Sequence, residues 1–494
     1  MQTTKSALAG ITPGDAATLG QALDNAPLSA FHRRAALISG VGFFTDAYDL
    51  FVISTVAAIV SVRWHLTTGE TSWVTGSAIL GAFVGAVFFG RLADIVGRKK
   101  IYILVAAIMI TGALASSLAP NFLALTAARF VLGLGIGGDY PVSAVLMSEY
   151  ANRDDRGRLV GLVFSMQALG LVVGPLVALG LLESHVGDEL TWRLLLAFGA
   201  LPAAGVIYLR SKIPESPRFQ AAMRGRALQA AAELAAFSGG VVPAVFASAP
   251  PAVHQDPGRR LFQLVHDRRM LRLLLGTAGS WFVLDYAYYG NTLSLPVILK
   301  SVDPGADLAA KLTWSLAMFV VFAVPGYAFA IWWMDRVGHR RLQSVGFAVI
   351  AAAFFLLAVV PILTASVGAF IAVFGLSYFF VEFGPNTTTF VLPSEVFPVS
   401  ARTTGHGISA GVGKLGAFLG VFLVPALETR LGLRPMLAMA AASAVLGILL
   451  TRLLPEAARR GLEDLSGDGD TTGCIVITEE AGDRPGRPPL VGAR

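Results

Sequence analysis

The chain has 494 residues, of which 55% are hydrophobic and only 14% are charged, and its net charge is +6. Soluble domains carry about 25% charged residues, so this composition excludes an ordinary soluble protein. Apolar runs of about 20 residues, the length that crosses a bilayer core, recur along most of the chain. Transmembrane strands would be shorter and strictly alternating, so the sequence predicts an all-α integral membrane protein.

Glycines, prolines and charge clusters divide the apolar sequence into twelve predicted transmembrane helices. In chain order the predicted spans are 35–62, 73–93, 101–119, 122–149, 159–184, 192–211, 271–300, 312–334, 342–361, 366–395, 402–427 and 434–454. The polar first 34 residues show no cleavable signal peptide. The single cysteine, Cys474, allows no internal disulfide.

Basic residues concentrate in alternate loops, which follow the second, fourth, sixth and eighth predicted spans. By the positive-inside rule, both termini and the long middle segment are predicted to be cytoplasmic, in a multi-pass protein of the plasma (inner) membrane. Spread over loops in this way, the basic residues act as topology signals. Their distribution therefore argues against a nucleic-acid partner.

The two halves of the chain repeat each other. Asp94 recurs as Asp335, the stretch 149–156 recurs as 395–402, and Pro214-Glu215 recurs as Pro455-Glu456, all at nearly one offset. The repeat predicts two parallel six-helix bundles. The predicted organisation is a cytoplasmic segment 1–34, a bundle 35–211, a cytoplasmic linker 212–268, a bundle 269–455 and a disordered cytoplasmic tail 456–494.

Several ionisable residues fall inside predicted spans, where charge is expensive and points to function. Asp46 and Asp49 are three residues apart and share one helix face. Two carboxylates on one face repel each other, so one favours its protonated form, which suits a proton relay. The alternative is a structural role, with one of them capping or pairing with a basic group such as Arg129.

Trp281, Asp285 and Tyr289 are spaced four apart and form a polar stripe on one predicted helix. Aromatic residues at this spacing are usually core packing, but the aspartate between them favours a binding site. The stripe offers an indole N–H, a carboxyl and a phenol to one cavity.

Further donors lie in other spans, namely Gln167, Asn386 and Lys414. Each could instead make an interhelical hydrogen bond, although an ammonium at membrane depth needs an anion. Together with the stripe, they suit a small tetrahedral oxyanion. Ionised Asp285 would repel that anion and protonated Asp285 would bind it, so proton arrival and anion binding are expected to be linked.

An enzyme is not predicted. Gly133, Gly135 and Gly138 satisfy G-x-G-x-x-G, but they lie within one apolar helix, whereas a dinucleotide site needs a strand, a turn and a helix. We interpret them as a thin helix surface that permits close packing. No metal-ligand cluster, cofactor motif or ATP-binding motif occurs in the sequence, so the expected energy source is an ion gradient.

Repeated charges near the cytoplasmic ends predict a gate. We expect Glu149 to pair with Arg402 and Glu395 to pair with Arg156 across the bundles, and Asp94 with Arg98 to order the turn after the second span. The alternative is that these are solvated loop charges. Six residues form the predicted gate: Asp94, Arg98, Glu149, Arg156, Glu395 and Arg402.

The segments 90–98 and 214–218 resemble those of the major facilitator superfamily, the latter like that of sugar porters. More specifically, 43–50, 137–148, 281–291, 383–395 and 405–414 resemble the inorganic phosphate:proton symporters of plants and fungi. The resemblance implies the major facilitator fold, phosphate and protons as partners, and proton handling by Asp46, Asp49 and Asp139. It implies phosphate contacts from Tyr140, Gln167, Trp281, Asp285, Tyr289, Asn386 and Lys414.

Glu382 departs from that pattern, because a small or amide residue is expected before Phe383. It lies one helical turn before Asn386. It could add a proton step, shift the preference among anions, or pair structurally with Lys414; we count it with Asp285 among the proton-coupling candidates. The predicted function is proton-coupled phosphate import. The alternatives are a transporter of sulfate or a small carboxylate, and a nutrient sensor that scarcely transports.

Overall fold

A computed structural model describes residues 16–224, 244–246, 266–293, 295–303, 305–466 and 474–477. Twelve long helices dominate this part of the chain. In chain order they are α1 Ala30–Arg63, α2 Thr68–Val96, α3 Arg98–Ser117, α4 Phe122–Tyr150, α5 Arg156–Glu183, α6 Asp188–Lys212, α7 Arg268–Leu293, α8 Leu308–Val337, α9 His339–Val359, α10 Val367–Val396, α11 Arg402–Leu431 and α12 Leu433–Thr451.

Eleven of these helices, among the residues described, are long and apolar enough to cross a membrane. The other is α7, whose arginines at positions 268, 269 and 272 and polar stripe around Asp285 lower its hydropathy. The structure thus has a long helix at each of the twelve predicted positions, in the predicted order. Most helices extend a few residues beyond their predicted limits, because polar caps such as Thr67 with Glu70 close the first turn outside the apolar run.

Four long helices are interrupted. α5 breaks at Met166 and α6 at Gly199, where α-helical segments end and begin again. α8 and α10 each contain a π-helical turn, at Phe319–Ala323 and Glu382–Asn386. Such turns widen a helix locally and are frequent at functional sites.

Helix α4 packs closely against α2 in the amino-terminal bundle. A Cβ at Gly133 or Gly137 would collide with the carbonyl oxygens of Ala78 and Ala82. Only glycine lets the two backbones approach this closely. The glycine motif is therefore a packing surface, as predicted. The two bundles meet where α2 packs on α11 and α5 packs on α8.

Shorter elements surround the bundles. They are the helices Leu19–Asp24, Pro217–Arg224, Leu295–Val302, Leu462–Ser466 and the 3₁₀ turn Pro361–Leu363, and the strands β1 Ala16–Thr18, β2 Ala244–Phe246 and β3 Cys474–Ile477. The strands form an antiparallel sheet in the order β1-β3-β2, with Ala17 opposite Ile475 and Val245 opposite Val476.

The predicted disordered tail is wrong for its first part. Leu462 and Leu465 are buried, and Glu463 forms an ion pair with Arg218 at 2.8 Å. Arg218 also binds Asp24 at 2.7 Å, so the segments before α1, after α6 and after α12 lie together. We call the end of the molecule that carries Asp24, Arg218 and Glu463 the terminal side. The opposite end is called the outer side. Most of the predicted linker lies outside the described residues.

Candidate functional site

A lysine–aspartate pair lies at the centre of the molecule. Lys414 of α11 donates hydrogen bonds to Asp285 Oδ2 at 3.0 Å and to the Tyr289 hydroxyl at 2.9 Å. The other oxygen, Asp285 Oδ1, has no hydrogen-bond partner among the described residues. The fourfold spacing on α7 places Trp281, Asp285 and Tyr289 on one face, as the sequence predicted.

Tyr140 of α4 joins the amino-terminal bundle to this pair. The Lys414 ammonium lies 4.7 Å from the ring centroid of Tyr140 and 4.2 Å from that of Tyr289. The Tyr140 and Trp281 rings are 6.2 Å apart. A desolvated ammonium over aromatic faces gains about 2 kcal/mol, so these rings help to hold the cation between the bundles.

A chain of hydrogen bonds crosses from one bundle to the other beside the pair. Gln167 Nε2 donates to the Tyr140 hydroxyl at 2.8 Å, and the Tyr327 hydroxyl donates to Gln167 Oε1 at 3.3 Å. Asn386 Nδ2 then donates to the Tyr327 oxygen at 3.1 Å and to Glu382 Oε2 at 2.6 Å. Sequence reasoning missed Tyr327, although it is a lone phenol in the apolar run of α8.

Two helix interruptions set this geometry. Gln167 begins the second segment of α5, directly after the break at Met166. Glu382 and Asn386 begin and end the π turn of α10, which contains Pro385, a residue with no N–H to donate. The turn brings the Glu382 carboxylate and the Asn386 amide together. Glu382 therefore binds Asn386, and the predicted alternative of a Glu382–Lys414 pair is wrong.

The site is closed on both sides by aromatic rings. Towards the terminal side, Phe390 stacks on Phe164 at 4.5 Å and lies 5.0 Å from Phe43. Towards the outer side, Phe51 stacks on Tyr289 at 5.4 Å. All predicted contact residues are at most 3% exposed: Tyr140, Gln167, Trp281, Asp285, Tyr289, Asn386 and Lys414. The structure thus brings the whole predicted set together in an occluded state.

Asp139 is held by Arg210, which the sequence did not indicate as a site residue. Arg210 Nη1 lies 2.7 Å from Asp139 Oδ1 and Nη2 lies 2.8 Å from Oδ2, while Ser143 donates at 3.3 Å. Arg210 is 1% exposed, and its guanidinium lies 3.9 Å from the Tyr102 ring centroid. Arg210 lies inside the predicted span 192–211, next to its last residue, and pairs with a carboxylate of the same bundle.

Asp46 and Asp49 are buried on α1, with none of their four carboxylate oxygens hydrogen-bonded by a described residue. Arg129 Nη2 donates at 2.7 Å to the backbone oxygen of Asp49, not to its carboxylate. The alternative of a hydrogen-bonded side-chain pair with Arg129 is therefore not formed. A buried carboxylate without donors is costly when ionised, so both can take up a proton at low cost.

On the terminal side, Glu149 bridges the bundles. Its Oε1 lies 3.2 Å from Arg402 Nη1 and 3.5 Å from Arg98 Nη2, so the predicted Glu149–Arg402 pair is present. Arg98 also contacts Asp94 at 3.1 Å, as predicted. Asp94 Oδ2 accepts the backbone N–H of Thr404 at 2.7 Å and so caps the first turn of α11 in the other bundle.

The second half of the gate differs from prediction. Glu395 binds His339 Nδ1 at 3.0 Å, and His339 Nε2 lies 3.2 Å from Asp335 Oδ1. Arg156 instead pairs with Asp24 at 2.6 Å, so the predicted Glu395–Arg156 pair is wrong. The cause is the segment before α1, which supplies a carboxylate that the repeat did not reveal.

Two repeated bundles that enclose a buried polar site define a class, the secondary transporters of the major facilitator type. The model of the sugar (and other) transporter family matches residues 35–468, and the chain belongs to this family.

Relatives extend over most of the chain. Probable inorganic phosphate transporter 1-6 of Arabidopsis thaliana is 36% identical, over 91% of this chain and 96% of that protein. Putative inorganic phosphate transporter 1-13 of Oryza sativa subsp. japonica is 37% identical, over 90% and 93%. Among solved structures, the proton:xylose symporter XylE bound to 6-bromo-6-deoxy-D-glucose matches with a TM-score of 0.76 at 19% identity, covering 89% of this chain and 99% of that one. This last likeness concerns the fold.

Proposed function

We propose that this chain imports inorganic phosphate together with protons by alternating access. The observation that carries the proposal is the buried set of one ammonium, two amides, two phenols and an indole around Asp285. This set offers N–H and O–H donors to a small tetrahedral anion from several directions. The names of the plant relatives, which are inorganic phosphate transporters, support phosphate as that anion.

Charge balance links the anion to a proton. In the occluded state the Lys414 ammonium is neutralised by ionised Asp285, so an entering anion finds no net positive charge and is repelled by the carboxylate. A proton on the unpartnered Oδ1 of Asp285 removes that charge and leaves Lys414 free to bind the anion. Loss of the proton restores the ion pair and expels the anion. Binding and release of phosphate therefore follow the protonation of Asp285.

Four further acids are proposed for proton handling. Asp46 and Asp49 lack hydrogen-bond donors, and Asp139 shares a bidentate pair with Arg210 in the same bundle. Glu382 has one oxygen on Asn386 and one with no described partner, which gives the carboxy-terminal bundle a proton acceptor beside the anion site.

We propose that the terminal side faces the cytoplasm of a plasma (inner) membrane, because basic residues concentrate there. The pairs of Glu149 with Arg98 and Arg402 then form a cytoplasmic gate that must separate for phosphate to leave. The buried Arg156, on Asp24, and Glu395, on His339, belong to the same layer.

Competition measures the anion class directly. Proteoliposomes containing the protein should take up labelled phosphate, and excess unlabelled phosphate should suppress that uptake far more than sulfate or small carboxylates. Equal suppression by sulfate would favour the runner-up, a general small-anion transporter. Saturable phosphate binding without uptake would favour a sensor.

A further inference from the structure

The internal repeat places a histidine in one half of the terminal-side gate at the position that an arginine occupies in the other half. The offset that relates Asp94 to Asp335 also relates Arg98 to His339. Both residues open a helix directly after a glycine of positive φ, at Gly97 and Gly338. Corresponding glutamates, Glu149 and Glu395, lie beside them. The two halves of the gate therefore have the same arrangement, but only one centre has a side chain whose unperturbed pKa lies near neutral pH.

His339 lies between two carboxylates. Nδ1 is 3.0 Å from Glu395 Oε2, and Nε2 is 3.2 Å from Asp335 Oδ1. The imidazole is fully buried. An ionised carboxylate can accept hydrogen bonds but cannot donate them. Both contacts with ionised carboxylates are therefore hydrogen bonds only if both ring nitrogens carry a proton. The geometry of this closed gate thus requires the imidazolium.

Asp335 connects His339 to the other bundle through hydrogen bonds. Its Oδ1 accepts the backbone N–H of Gly157 at 3.1 Å, and its Oδ2 accepts that of Arg158 at 2.7 Å. Asp335 therefore caps the start of α5 across the interface, as Asp94 caps α11. A neutral imidazole would turn a lone pair towards either Asp335 or Glu395 and weaken the cluster.

The surroundings give the proton a route to water. Glu456, after α12, accepts the backbone N–H of His339 at 2.8 Å. Four arginines line the adjacent cleft together with Asp335 and Glu456: Arg336, Arg340, Arg341 and Arg459. Asp335 and Glu456 line an open cleft of about 450 Å³ on the terminal side. A proton that leaves His339 can reach solvent there through Asp335.

We propose that His339 is the proton-sensitive element of the terminal-side gate: its imidazolium holds the gate closed, and loss of that proton to the adjacent solution favours opening. The proposal rests on the alternating access proposed above. Its sign follows from the geometry, because the protonated form stabilises the closed state, so rising pH on the terminal side opens the gate. The corresponding half of the gate has Arg98 in place of the histidine, so it contains no imidazole that could respond to pH.

The test measures the gate without phosphate. Spin labels at Lys100→Cys and Arg452→Cys, in a Cys474→Ser background, report the separation of the bundles on the terminal side. For one linked proton, the ratio of open to closed molecules should rise by up to about tenfold per pH unit as the pH increases above about 6.5, the ordinary imidazole pKa. His339→Arg should remain closed across that range, and His339→Gln should be shifted towards the open state even at low pH. His185 is an exposed histidine elsewhere in the protein. His185→Gln should give the same pH dependence of the spin-label separation as the wild type.

Two outcomes would overturn the proposal: a wild-type pH response retained in His339→Arg, or no pH response in wild-type protein that transports phosphate. A pH response that His339→Arg abolishes, in protein that carries no phosphate, would support the gate and count only against phosphate as the substrate. Comparing both variants keeps the result decisive if one of them folds poorly.

Discussion

At the residue scale, the site is a balance of buried charges. Lys414 and Asp285 neutralise each other, and so do Arg210 and Asp139. The mutual attraction of such pairs scarcely repays the loss of hydration, so they are weak stabilisers as long as both partners remain. In the proposed mechanism, one proton or one anion can replace a partner.

Removal of one partner should therefore be costly. Lys414→Met is expected to lower the free energy of unfolding by roughly 3–5 kcal/mol, because it leaves Asp285 buried and unpaired. Lys414→Met combined with Asp285→Leu should recover most of that loss, although phosphate binding stays abolished. Thermal unfolding of the two single variants and the double variant in detergent measures this coupling. If the loss of stability in the double variant equals the sum of the two single losses, the two residues do not stabilise the fold as a pair.

Tyr327 should matter for binding more than for folding. Tyr327→Phe removes the hydroxyl that links Gln167 to Asn386, and one such hydrogen bond is worth about 0.5–1.5 kcal/mol. The KM for phosphate is expected to rise up to about tenfold with little change in thermal stability. Tyr208→Phe, which alters an exposed tyrosine, is the control. An unchanged KM in Tyr327→Phe would remove this residue from the site.

The sequence indicated the site residues that carry a charge inside an apolar run. It did not indicate those whose side chains are also common in such helices or at their ends. Asp285 and Lys414 are charged residues in apolar runs, whereas Tyr327 is typical of packing and Arg210 lies at the very end of a predicted span. The partners of Arg156 and Glu395 were beyond prediction, because Asp24 and His339 approach them only through tertiary packing.

At the element scale, helix ends carry the gate. Asp94 and Asp335 each cap a helix of the opposite bundle, α11 and α5, so closure of the terminal side satisfies N–H groups that opening exposes. The repeat and the apolar runs predicted which helices exist. They did not predict the break at Met166 or the π turn Glu382–Asn386, since neither has a strong sequence pattern.

Glu149→Gln should shift the protein towards the state open on the terminal side. The change leaves buried Arg98 and Arg402 without their shared carboxylate, and this penalty applies only to the closed state. A cysteine at buried Ser394, in the Cys474→Ser background, should then react several-fold faster with a polar maleimide. Glu189→Gln is the matched control, because Glu189 also binds two arginines but is exposed on the outer side, where such pairs contribute about 0–1 kcal/mol. Equal labelling in both variants would exclude Glu149 from the gate.

At the scale of the whole molecule, the terminal side gathers the segments that flank both bundles. Arg218 joins Asp24 to Glu463, and β1, β2 and β3 join the leading, middle and trailing segments in one sheet. The internal repeat predicted the two bundles. The composition of the trailing segment did not predict that it packs on the terminal side.

The proposed orientation depends on the basic residues that concentrate on the terminal side. A cysteine at exposed Arg459 should be protected from a membrane-impermeant maleimide in intact cells and react after permeabilisation, whereas one at exposed His185 should react at once. Both changes are made in the Cys474→Ser background. The reverse pattern would place the termini outside and invert the proposed direction of import.

The most direct test of the central claim is uptake of labelled phosphate into proteoliposomes with an imposed inward proton gradient, for wild type and Asp285→Asn. The wild type should concentrate phosphate and lose that uptake with an uncoupler. Asp285→Asn, which cannot ionise, should still bind phosphate but lose gradient-driven uptake. Uptake by Asp285→Asn that still follows the proton gradient, or wild-type uptake indifferent to the uncoupler, would contradict proton coupling through Asp285.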